Sequence, residues 1–246
     1  MKLYESLQQI APLKIAVVGG GGKTTAVFQL ARQAAGNAWV STTTHLGTDQ
    51  LHLADRHFTL LENSTLDASP WMTQKVTLLT GNRTPDDRVR GLVPELINAL
   101  ALLADRENVS LIVEADGARS HPVKAPAEHE PVIPDWVDTV VVVVGLSAIG
   151  KPLTSEWVHR AEIYAQLTHL HPGDPITLES VIAMLVSPLG GLKGIPSGAC
   201  RIVFLNQADL HPLSDAEISL LDRLKSDYNR VLYGSLSVEP DQIHVV

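Results

Sequence analysis

Four consecutive glycines, Gly19–Gly22, run directly into Lys23, Thr24 and Thr25. Ahead of them, Lys14–Val18 is an apolar strand-like run, and behind them Thr24–Ala35 reads as a helix with Ala26, Val27, Leu30, Ala31 and Ala34 on one face. A strand, a glycine loop and a helix in that order leave the chain few folds. Glycines let backbone N–H groups curl round an anion without Cβ clashes, and the helix N-terminus adds its unpaired N–H groups. The pattern predicts that Gly19, Gly20, Gly21, Gly22, Lys23, Thr24 and Thr25 bind the phosphates of a nucleotide. Lys23 then serves as the catalytic cation and Thr24 offers its hydroxyl to Mg²⁺. Val17 stands where the common form of the phosphate-loop pattern has its first glycine, so the loop is a deviant one.

The rest of the chain predicts more strands alternating with helices. Strands are expected at Trp39–Ser41, Phe58–Leu61, Val76–Leu79, Leu111–Glu114, Val140–Val144, Arg201–Leu205 and Val231–Gly234. Helices are expected at Lys2–Ile10, Leu92–Ala104, Glu156–Leu167, Leu178–Leu185 and Asp215–Ser226, and a turn-rich loop at Thr80–Asp87. The five valines of 140–144 show no alternation, which suits a strand buried on both faces. The fold class that follows is α/β, a mostly parallel sheet covered by helices on both faces, of the P-loop NTPase-like kind. A single nucleotide-binding domain over 1–246 is expected, with room for a helical insertion at about 150–198.

Charge and cysteine content narrow the function. The formal net charge is −8 and 45% of residues are hydrophobic. An acidic globular chain is a poor nucleic-acid binder and a poor ligand for anionic membranes. One cysteine, Cys200, excludes an internal disulfide and a multi-cysteine metal site, and it is expected in the core. Residues 1–10 lack the long apolar stretch of a signal peptide, so a soluble cytoplasmic protein is expected.

Leu111-Ile-Val-Glu114-Ala-Asp116-Gly117 supplies carboxylates at a strand end, where a phosphate-loop site needs them. Asp116 is the preferred Mg²⁺ partner, and Glu114 a second ligand or the base that orients water. Thr43 and Thr44 follow the second strand and could close over the metal, with His45 beside them. Arg119–Pro134 is a proline-stiffened connection carrying Lys124, Glu128, His129 and Glu130; Lys124 and His129 are candidates for a substrate or partner. Gly145–Lys151 mimics the start of a second phosphate loop, but Pro152 replaces the hydroxyl residue; Lys151 remains a substrate candidate. Asn206-Gln-Ala-Asp209 ends a late strand as Asn-Lys-x-Asp does in GTPases. There an Asp accepts hydrogen bonds from guanine N1 and N2, so Asn206 and Asp209 are the base-binding candidates, favouring GTP over ATP.

Several of these segments together resemble the YqeC family: 18–25, Ser-Thr-Thr-Thr-His at 41–45, Glu-Ala-Asp-Gly-Ala-Arg at 114–119, the proline-rich 122–134, 144–153 and Leu-Asn-Gln-Ala-Asp at 205–209. The resemblance spans nearly the whole chain. It implies a P-loop fold and an accessory role in maturing a selenium-dependent molybdenum hydroxylase, so that such a hydroxylase or its maturation proteins become expected partners. The expectation is a Mg²⁺-dependent NTPase, GTP preferred over ATP. The alternatives are an ATP-dependent small-molecule ligase or kinase, and a non-hydrolysing nucleotide-dependent adaptor.

Overall fold

The computed structural model describes residues 1–8, 13–62 and 66–246. Nine strands form its main sheet: β1 Lys14–Gly19, β2 Ala38–Thr42, β3 Arg56–Thr59, β4 Val76–Thr80, β5 Ser110–Glu114, β6 Thr139–Gly145, β7 Cys200–Asn206, β8 Arg230–Tyr233 and β9 His244–Val245. Their spatial order is β9-β8-β7-β6-β1-β5-β2-β4-β3. Every pairing is parallel except β8 with β9. The helices are α1 Leu3–Ser6, α2 Lys23–Gln33, α3 Pro94–Glu107, α4 Ala161–Thr168, α5 Leu178–Val186 and α6 Asp215–Leu220.

The residue alternation of each strand decides which layer it meets. Ile15, Val17, Val141, Val143, Ile202, Phe204 and Leu232 face α1 and α2. Their neighbours Ala16, Val18, Val140, Val142, Val144, Val203 and Leu205 face α4, α5 and a 3₁₀ turn at Leu221–Ser226. Beyond β1 on that second face, Trp39, Leu79, Leu111 and Val113 pack on α3. Helices therefore cover both faces of a mostly parallel sheet, as the unalternating apolar runs require. No helix among the described residues is long and apolar enough to cross a membrane.

β1 sits at the centre, between β5 and β6. After β1 the chain builds the β2, β3, β4 and β5 side, then crosses to build β6, β7 and β8 on the other. The carboxyl end of β1 thus lies beside the point where the strand order reverses, the position where open α/β sheets bind ligands. The ends of β1 (Gly19), β5 (Glu114), β6 (Gly145) and β7 (Asn206) converge there.

Four elements differ from the sequence-based expectation. The helix expected from Glu156 begins at Ala161, because Val158–His159 instead pairs in parallel with Val123–Lys124 and Arg160 turns through a left-handed φ of 66°. The helix expected to Ser226 is α-helical only to Leu220; the tighter 3₁₀ turn that follows buries Leu221 and Leu224. The loop expected at 80–87 contains a short strand, Arg83–Thr84, which joins Arg88–Arg90 and His45–Gly47 in a small antiparallel sheet. The first helix spans only Leu3–Ser6, with Leu7 as its C-cap and Gln8 at a left-handed φ of 51°; Gln9 and Ile10, with Pro12 behind them, lie outside the described residues. Cys200 opens β7 half-buried rather than in the core.

Phe204 is fully buried in the α2 face of β7. Phe204→Ala should cost about 3–5 kcal/mol, the usual cost of emptying such a site, read as a lower urea midpoint; an unchanged midpoint would show that β7 is not the packed strand described.

Candidate functional site

The glycine loop is shaped by close approach. Gly19, Gly21 and Gly22 have φ of 101°, 69° and 107°, a region L side chains rarely adopt. A Cβ on Gly21 would lie 2.2 Å from the Gly145 nitrogen, and one on Gly20 2.8 Å from the His121 carbonyl oxygen. The loop therefore threads between the end of β6 and the connection that starts the proline-rich segment.

Its backbone donors divide into two sets. The Gly19 N–H donates to the Asp116 carboxylate at 3.1 Å, Gly20 to the Val143 carbonyl at 2.8 Å, and Gly21 to the His121 carbonyl at 2.9 Å. The N–H groups of Gly22, Lys23, Thr24 and Thr25 have no partner among the described residues; the first α2 bond is Ala26 N–H to the Gly22 carbonyl. These four are the donors a helix leaves open at its N-terminus, where an anion is favoured. Of the predicted loop residues, Gly21, Gly22, Lys23, Thr24 and Thr25 line a polar cleft of about 440 Å³, whereas Gly19 and Gly20 sit behind it and set the turn.

The two carboxylates part company. Glu114 lines the cleft and accepts a hydrogen bond from the Thr24 hydroxyl at 2.9 Å. Asp116 lies behind the loop, taken up by the Gly19 N–H, by Lys23 Nζ at 3.3 Å and by Lys124 Nζ at 2.9 Å. The structure thus places Glu114, rather than the preferred Asp116, on the cleft wall, while the Gly19 N–H, Lys23 and Lys124 take up Asp116. Burial pushes the Glu114 carboxyl up from its usual range; the Lys23 charge and the Thr24 hydrogen bond oppose this.

Lys23 is almost fully buried and turned inward. Its ammonium donates to the Gly19 carbonyl at 2.8 Å and faces Asp116, with Glu114 at 3.9 Å. From Asp116 the ion pairs continue: Lys124 reaches Glu130 at 2.9 Å, and Glu130 meets Arg160 at 2.6 Å. Lys124, predicted as a substrate ligand, is spent in this chain and also donates to the Gly117 carbonyl at 2.6 Å. The alternating sequence Lys23, Asp116, Lys124, Glu130, Arg160 ties the glycine loop to the proline-rich connection and to the start of α4.

The remaining predicted residues scatter. Asn206 is buried and braces the loop, donating to the Gly21 carbonyl at 2.8 Å and accepting from the Leu236 N–H at 3.0 Å. Gln207 accepts from the Ser147 hydroxyl at 2.7 Å and lines the cleft. Asp209 is exposed in a neighbouring hollow of about 360 Å³ with Pro212, Leu213, Tyr233 and Val238. Thr43 donates to the Val132 carbonyl at 3.3 Å, and the Thr44 N–H donates to the Thr42 hydroxyl; neither lines the cleft. His129 is exposed on the proline-rich connection, away from the cleft wall. Lys151 is exposed, its ammonium 5.0 Å from the Trp157 ring centre. Sequence reasoning named His45 beside the threonines but assigned no role to Asp49, Gln50, Arg88, Arg119 and His121, which line the cleft with it. His45 and Arg88 reach it through strands of three residues, too short to show a period.

Comparison with known proteins agrees with the residues. The sequence model of the family described as YqeC protein matches residues 15–162. The Escherichia coli (strain K12) protein named "Uncharacterized protein YqeC" is 32% identical over 240 residues, covering 94% of this chain and 91% of the relative. No solved structure matches the chain.

Glu130 offers a test of the ion-pair chain. Burial pushes its carboxyl up, but hydrogen bonds and charge from Lys124 and Arg160 outweigh this and bring it down from 4.5 to about 2. A carboxyl held low in the folded state contributes stability above its unfolded value and loses it as pH falls through the folded one. Between pH 4.5 and about 2 the parent should therefore lose more stability than Glu130→Gln. Matching acid-unfolding profiles for the two proteins would mean that the chain of ion pairs does not hold.

Proposed function

The chain belongs to the YqeC family, and on that premise we propose that it binds a nucleoside triphosphate with Mg²⁺ and hydrolyses it, GTP in preference to ATP, as an accessory factor in maturing a selenium-dependent molybdenum hydroxylase. The observation that carries the nucleotide reading is the pairing of Thr24 and Glu114 at 2.9 Å beside four open N–H groups at the start of α2. The accessory role rests on the family resemblance.

The donor set fits Mg²⁺. This ion takes oxygens at about 2.0–2.1 Å in octahedral geometry, which sets neighbouring ligands about 2.9 Å apart, and it keeps several waters and phosphate oxygens. Thr24 and Glu114 are one hydroxyl and one carboxylate at that spacing. When bound, the ion would neutralise phosphate charge and bring its hydrating waters into the cleft. The protein's own groups do the rest. The N–H groups of Gly22–Thr25 hold phosphate oxygens. Lys23 leaves the Gly19 carbonyl for the phosphates, and Lys124 stays to balance Asp116. An ionised Glu114 would orient the attacking water.

The base would occupy the hollow beside Asp209, reached past Gln207 and Ala208. Asp209 then reads the N1–H and amino donors of guanine, which adenine lacks in that arrangement. Gln207 replaces the lysine whose stem stacks on the ring in GTPases and is engaged with Ser147 instead, so discrimination rests on Asp209.

Calorimetric titration with GTP and ATP, with and without Mg²⁺, tests the reading. GTP should bind more tightly, and Mg²⁺ should strengthen it. Lys23→Ala should weaken binding at least about tenfold, as loss of a charge-assisted bond does, and Glu114→Gln should reduce the Mg²⁺-dependent gain and phosphate release. A Lys23→Ala protein that binds as the parent does would end the phosphate-loop reading, and ATP preference would put the ligase or kinase reading ahead.

A further inference from the structure

The cations around the cleft are nearly all matched. Lys23 has Asp116 and Glu114, Lys124 has Asp116 and Glu130, and Arg160 has Glu130. Arg88 donates to the His45 carbonyl at 3.2 Å and lies in the field of Asp86. Arg119 differs. It lines the cleft with Lys23, Thr24 and Glu114, its side chain is exposed, and its guanidinium has no hydrogen bond or ion pair among the described residues. In a chain of net charge −8, an unmatched guanidinium on the wall of the cleft that also holds the open end of a helix marks a place for negative charge.

Its backbone is held in place at a cost. Arg119 and Ser120 both adopt left-handed conformations, φ 48° and 62°, which cost L residues about 1–2 kcal/mol each. Strain of this kind persists where surrounding contacts enforce it. Here the contacts run to the glycine loop itself. The His121 N–H donates to the Ala118 carbonyl at 3.0 Å, and the His121 carbonyl accepts the Gly21 N–H at 2.9 Å. The His121 ring lies between the Ala118 and Ser155 carbonyls, 2.9 and 2.8 Å from its two nitrogens. The turn that presents Arg119 is therefore fixed relative to the loop that would hold the phosphates, and four residues separate Arg119 from Glu114 on the same segment.

We propose that Arg119 is a catalytic residue, supplied within the chain, that stabilises the charge on the terminal phosphoryl group during transfer; this rests on the nucleotide reading above. In the step, the water oxygen bonds to the γ-phosphorus and the bond to the bridging oxygen breaks. The electron pair stays with the β-phosphate; one proton of the water remains on the new phosphate and the other passes to solvent, giving the nucleoside diphosphate and inorganic phosphate. Charge spreads over the equatorial oxygens as this happens, and a guanidinium presented into the same cleft as Lys23 by a fixed backbone turn meets it.

The test compares parent, Arg119→Ala and Arg119→Lys for binding GDP with Mg²⁺, alone and with aluminium fluoride, the planar mimic of the phosphoryl group in transfer. GDP alone should bind all three within about threefold. Aluminium fluoride should tighten the parent complex, and Arg119→Ala should lose at least about a hundredfold of that gain, in line with the 10³–10⁵ attributed to such arginines in turnover. Arg119→Lys should recover little of it, because a point charge does not reproduce the planar fork. Equal gains in parent and Arg119→Ala, no gain in the parent, or a loss of GDP binding to match would each overturn the proposal. Failure of the parent to bind GDP or GTP at all would instead overturn the nucleotide reading, and this assignment with it.

Discussion

Asp116 is the hinge of the arrangement. One carboxylate, almost entirely buried, holds the Gly19 N–H, Lys23 and Lys124 at once. A charge buried this deeply is tolerable only when paired and hydrogen-bonded, and removing one partner of such a set typically costs about 3–5 kcal/mol. The turn of the glycine loop, the inward position of Lys23 and the anchoring of the proline-rich connection all depend on it. Two cations share the carboxylate, so one of them can leave without stranding it. That is the property a phosphate-binding lysine needs.

Packing supplies the second constraint. The loop passes so close to β6 that the residues facing it cannot carry a Cβ: Gly145 would place one 2.2 Å from the Gln207 amide oxygen, as Gly21 would against Gly145. Asn206 closes the opposite side by bonding Gly21. The ends of β1, β6 and β7 thus lock one another, and the open donors of α2 are aimed by a framework of parallel strands rather than by the loop alone. The same framework builds the second glycine-lysine segment differently from the first. Gly145 is consumed in packing, and Lys151 lies on Trp157 beyond the cleft.

Most of the sheet was legible because buried parallel strands leave unalternating apolar runs, Val140–Val144 above all, and because Gly19–Thr25 allows so few structures. Legibility failed where tertiary contacts outweigh local preference. Val158–His159 has helical neighbours but is drawn into pairing by the proline-rich connection, and Arg160 is pulled out of helical geometry beside Glu130. The site was legible as a set of residue types, not as roles. Nothing in Glu-Ala-Asp says which carboxylate faces the cleft; that is decided by where the strand ends and by Lys124 arriving from ten residues further on. Arg119 closes the Glu-Ala-Asp-Gly-Ala-Arg segment, but the segment gives it no role, and its place on the cleft without a partner singles it out only in three dimensions.

The most direct test is a crystal structure with Mg²⁺ and a non-hydrolysable GTP analogue. The account predicts phosphate oxygens on the N–H groups of Gly22–Thr25, the ion between Thr24 and Glu114, and Lys23 Nζ moved from the Gly19 carbonyl to the phosphates while Asp116 keeps Lys124. Phosphates bound elsewhere, with Lys23 still on Gly19 and Asp116, would contradict it.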